Sequence, residues 1–96
     1  MGGDLKQLLE ATETVVGDSI SRLVAALVEM GVPPEDGNRA VCTVLGRVLG
    51  VYAGATAVTM QDTRGVPISE GIALILQKVC DVAARTARAE ISSWFN

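Results

Sequence analysis

Arg39, Thr43 and Arg47 recur every four residues within an otherwise apolar stretch. On a helix that spacing sets them along one polar edge. Arg39 and Arg47 are therefore the candidate lining of a small-ligand pocket, where a few placed polar groups among apolar walls supply orientation. A second group lies near the C-terminal end. Arg85 and Arg88 stand one turn apart, and Trp94 and Phe95 follow. Basic side chains beside aromatic ones form a surface that can receive an acidic protein segment or a phosphate-bearing ligand, and aromatic anchors often dominate such contacts. The simpler roles are structural. Arginines near a helix C-terminus complement its dipole, and Trp94 is expected to fold back and close the core. Phe95 points about 100° away around the same helix, so it is the candidate exposed contact.

Other chemistries lack their parts. The chain has no His, the usual proton shuttle near neutral pH. It has no Gly-Lys-Ser/Thr loop to cradle phosphate. Glu10 and Glu13 lie one turn apart without the Glu-x-x-His partners of a di-iron bundle, and read as a solvated face. Cys42 and Cys80 are too few for a zinc site. Their expected heights on two helices differ by roughly 10 Å, beyond disulfide reach, so both are expected reduced and buried in a cytoplasmic protein. No enzyme activity, cofactor or metal is expected.

These residues need long helices to hold them. Leu5, Leu9, Thr12, Val16, Ile20, Leu23, Leu27 and Met30 repeat at spacings of three and four, which predicts a helix over residues 4–30. Gly17-Asp18-Ser19 could interrupt it, but the stripe keeps phase across the three residues. Gly31-Val32-Pro33-Pro34 is a stop followed by a start: Gly31 suits the left-handed position past a helix, and Pro34 the first turn of the next. Glu35 and Asp36 then complement the dipole of a second helix over residues 34–61. So short a joint predicts an antiparallel hairpin. Gln61 to Pro67 reads as a loop. A third helix is expected from Ile68, capped by Ser69 and carrying Ile72, Leu76, Val79, Ala83, Ala87, Ile91 and Trp94 on one stripe.

The second helix is the organising element. From Ala40 to Val58 its one charge is Arg47, and apolar residues lie on nearly every face, the mark of a core helix or a membrane span. Gly46, Gly50 and Gly54 fall four apart, and Ala53 and Ala57 continue the small-residue stripe. Each mid-helix glycine costs about 1 kcal/mol relative to alanine, so another backbone is expected against the stripe, within the chain or across a two-fold axis. Gly46, Gly50, Gly54 and Ala57 are accordingly the candidate oligomer packing face. The same spacing packs transmembrane helices. Arg47 near the middle would cost roughly 2.5–3.5 kcal/mol on insertion, which disfavours a membrane role.

Composition agrees with an assembly. Among 96 residues 49% are hydrophobic and 3% aromatic, so the apolar content is aliphatic and hard to hide in one small domain. Net charge is −3, unevenly spread. Residues 1–38 carry seven acids against Lys6 and Arg22, a net of −5, and residues 39–96 carry four acids against six bases. No basic patch suits nucleic acid. The start shows no signal-peptide pattern, and Lys6 breaks the myristoylation pattern. The expectation is a single all-α domain over residues 1–96: an antiparallel helical hairpin plus a third long helix, three-helix bundle-like, in a homodimer or higher oligomer. Its expected role is non-catalytic, an adaptor, inhibitor or regulator acting on a protein partner. The alternatives are a membrane-active protein built on the glycine helix and an arginine-lined ligand binder.

Overall fold

The computed structural model describes residues 2–95. Among them are three helices and no strand: α1 (Gly2–Glu29), α2 (Pro34–Arg64) and α3 (Ile68–Phe95). The chain is all-α, a helical hairpin followed by a third long helix.

The helix ends follow from backbone hydrogen bonding. α1 runs through Gly17 without a break, and Ser19, which could have capped a new start, instead donates its hydroxyl to the Val15 carbonyl inside the helix. The stop comes at Gly31, whose φ is 76°. The Val32 amide donates to the Leu27 carbonyl and the Gly31 amide to Val28, both at 3.0 Å. This paired closure satisfies carbonyls that the helix end would leave open. Pro34 then opens α2, and the Gly37 amide donates to the Pro33 carbonyl at 2.9 Å.

Two boundaries differ from expectation. α2 continues past Gln61 to Arg64, because the first left-handed glycine is Gly65, with φ 70° and its amide donating to Gln61. Thr63 supports the extra turn by donating to the Thr59 carbonyl. Ser69 is not the cap of α3. The helix begins at Ile68, and the carbonyl of Pro67 accepts from the Gly71 amide at 2.9 Å. Proline lacks an amide but keeps its carbonyl, so it can stand just before a helix and receive the first bond.

The chain divides into two compact units, one ending at Leu45 and the other beginning at Gly46. In the first, the α1 side of the seam is Ile20, Leu23 and Leu27, with Val32, Gly37, Ala40 and Val41 completing it, all half-buried. The same stripe continues towards the start of α1 through Val16, Leu9 and Leu5, which are exposed.

The second unit is tighter. Ala53 and Ala57 of α2 and Gly71 of α3 are its buried residues. A Cβ placed on Gly71 would stand 3.1 Å from the Ala57 Cβ and 3.3 Å from its Cα. Leu49, Met60, Ile72, Ile75 and Val79 flank this point, half-buried. α2 therefore belongs to both units, yet it is no buried spine. Within the single chain its apolar faces are not all covered: Val44, Leu45, Val48, Val51, Tyr52 and Val58 are all exposed.

Each of the ten side-chain hydrogen bonds among the described residues runs to a residue three or four back on the same helix. Neither seam holds a polar cross-link, and apolar shape sets both. Gly71→Ala should therefore destabilise the fold by about 1–2 kcal/mol, since the added methyl meets backbone that yields poorly. Gly17→Ala, with nothing within 4 Å of its new methyl, should stabilise by about 1 kcal/mol through helix propensity. Thermal melting of the two variants beside the parent checks the opposite signs.

Candidate functional site

Four features could carry function, and each was legible to a different degree. The glycine face comes first. Among the described residues nothing outside the helix's own backbone approaches a Cβ placed on Gly46, Gly50 or Gly54 to within 4 Å. Gly46 and Gly50 are exposed and Gly54 is half-buried. The close backbone approach within the chain falls at Gly71 instead. Ala57 is a correction to the expected oligomer face, since it lies wholly inside the α2–α3 seam under Gly71 and has no surface to offer. What is left open on the glycine side is Gly46 and Gly50; Val48, two residues from each, stands about 160° away around α2, so the exposed Val48, Val51 and Tyr52 belong to the other side of the helix.

The end of α3 is also open. Trp94 is 69% exposed and Phe95 82%. The expectation that Trp94 closes the core is overturned. Its indole Nε1 donates to the Glu90 carboxylate one turn back, at 3.2 Å, which holds the ring along its own helix. Arg85 and Arg88 are exposed on the same helix. Arg85 Nε reaches the Asp81 backbone carbonyl at 3.4 Å. The spacing of seven sets Arg88 and Phe95 on one side of α3.

Arg39 belongs to the first unit and Arg47 to the second, and both are exposed. Thr43 between them donates to the Arg39 carbonyl and so presents no free hydroxyl donor. A recess of about 300 Å³ lies at the elbow of the first hairpin. Val24, Leu27 and Val28 of α1 wall one side, Val32 and Pro34 the joint, and Gly37, Asn38 and Val41 of α2 the other. Sequence reasoning missed it. The signal was Gly37: with only hydrogen in place of a side chain, it leaves the seam unfilled just past the joint, and even a Cβ there would reach no closer than 3.9 Å to Leu27.

No known protein family, curated protein or solved structure matches this chain. The site must be read from its own chemistry. Among the described residues no three His, Cys, Asp or Glu side chains gather where a metal ion could sit. No side-chain polar atom there is buried without a hydrogen-bond partner. The surfaces on offer are apolar, and apolar surfaces bind by covering.

Cys42 and Cys80 are both free and exposed, which corrects the expectation of buried thiols. The reason is the same as for α2: a pair of helices covers one seam, and neither cysteine lies in it. In dilute native protein both should react with a thiol reagent nearly as fast as in the unfolded chain, and protection that grows with protein concentration would mark the face that assembly covers. Trp94→Ala should change the melting of dilute protein by under about 1 kcal/mol, where a buried aromatic would cost about 3–5 kcal/mol.

Proposed function

We propose that this chain is a non-catalytic helical module that works by protein association, first with itself and then with a protein partner on which it acts as adaptor, inhibitor or regulator. The observation that carries the reading is the uncovered middle of α2. Val44, Leu45, Val48, Val51 and Tyr52 are exposed on a helix with one charge between Ala40 and Val58. Contiguous apolar surface of this kind marks an interaction site in a soluble protein. Gly46 and Gly50, on the opposite side of α2, add a second argument. Each costs the helix about 1 kcal/mol relative to alanine, and no contact among the described residues offsets it. A second helix laid against the glycine side would. A cytoplasmic setting suits the two exposed thiols, which an oxidising compartment would cross-link.

Sedimentation over a range of concentrations should give at least a dimer at low micromolar protein, with a melting temperature that rises with concentration. Gly50→Leu should weaken the assembly and leave the helicity of dilute protein unchanged. A chain that stays monomeric, with melting independent of concentration, would overturn the reading.

One observation favours a second reading. Among the described residues α2 alone is long and apolar enough to cross a membrane, with a mean hydropathy of 1.6 over its best window, and only 11% of that window is buried. Core helices of soluble proteins pass the same test while mostly buried, and this one is not. Arg47 in its middle argues the other way. Flotation with liposomes separates the two: the association reading expects the protein to stay at the bottom of the gradient.

A further inference from the structure

We infer that the elbow recess of the first hairpin receives the aromatic end of α3 from a second copy of this chain. The inference rests on the self-association proposed above and adds a second contact to it. The recess has about 300 Å³. An apolar cavity of about 150 Å³ holds benzene, so there is room here for one aromatic ring. Its walls are Val24, Leu27, Val28, Val32 and Val41, with Asn38 the one polar side chain among its lining residues. Such a wall recognises an apolar ring and little else.

The chain carries few rings to offer. It has one Trp, one Tyr and one Phe, and two of them stand side by side on the last turn of α3, exposed. Charge agrees. Glu29 follows Val28 in the wall, and Glu35 and Asp36 stand between Pro34 and Gly37, against Arg39 alone. The last three turns of α3 carry Arg85 and Arg88 against Glu90. Arg88 shares the side of Phe95, so a ring seated in the recess brings a guanidinium to an acidic rim. Aromatic anchors flanked by arginine are the residues that dominate protein interfaces.

The test uses the full chain and its single Trp. Sedimentation and Trp94 emission are followed together across concentration, with Phe95→Ala and Val28→Glu beside the parent. Both sites are exposed, Val28 at 70%, and circular dichroism of dilute protein confirms that each variant stays helical. In the parent, emission should shift to the blue in step with association. Each variant should associate roughly tenfold more weakly, and more salt should weaken the parent. An equal mixture should associate better than either variant alone, because Val28→Glu keeps the aromatic end and Phe95→Ala keeps the recess. Three results would overturn the inference and leave self-association standing: variants that associate like the parent, a mixture no better than its parts, or emission unmoved by association. Blue emission already present in the most dilute monomer would place the ring within its own chain and overturn it too. A parent that never associates removes both readings.

Discussion

Where α3 meets α2, glycine permits a close contact. A Cβ on Gly71 would stand 3.1 Å from the Ala57 Cβ and 3.3 Å from its Cα, tighter than ordinary packing, so the contact suits a residue with no Cβ set against one with nothing beyond it. Small residues at a crossing bring large neighbours into reach on either side. Leu49, Met60, Ile72, Ile75 and Val79 become half-buried around this point for that reason. The first hairpin has no such crossing. Its residues reach half-burial at best, and the space beside Gly37 stays open as the recess.

A pair of helices has one seam, and the remaining surface of each helix faces away from it. For amphipathic helices that is sufficient, since the outer faces are polar. α2 is apolar nearly all round, and the stripe of α1 continues through Val16, Leu9 and Leu5, which are exposed. The aliphatic side chains left outside, from Leu5 to Val16 on α1 and from Val44 to Val58 on α2, are a property of helix pairing and not of any local defect. Neighbours outside the chain are what would give these residues the environment their types require.

Much of this could be read from residue types alone. The three helices, the joint at Gly31 and the start at Pro34 were legible because glycine and proline act locally, through φ and a missing amide. The end of α2 was misplaced by one turn, since Gln61 to Arg64 carries no breaker and the stop is Gly65. Burial was less legible. Periodicity says which side of a helix is apolar, not whether anything lies against it, so Trp94, Cys42 and Cys80 were expected inside on the strength of their type. The glycine stripe likewise announced a close approach, and the chain placed its own at Gly71, a glycine with no regular spacing to advertise it. The recess at Gly37 had no periodic signal at all. A cavity depends on what two helices fail to fill, and that is a property of the pair.

The hydroxyls of α2 have a further meaning. Thr43, Thr59 and Thr63 each donate to a carbonyl one turn back. Removing a free hydroxyl from water without a new partner costs roughly 1–3 kcal/mol, but these donors already have theirs. These three donors stay satisfied when the outer surface is withdrawn from water, and the desolvation cost falls on the Tyr52 hydroxyl, on Arg47 and on the charges at the two ends. The choice of neighbour around the middle of α2 is thus left to shape, to one phenol and to one guanidinium.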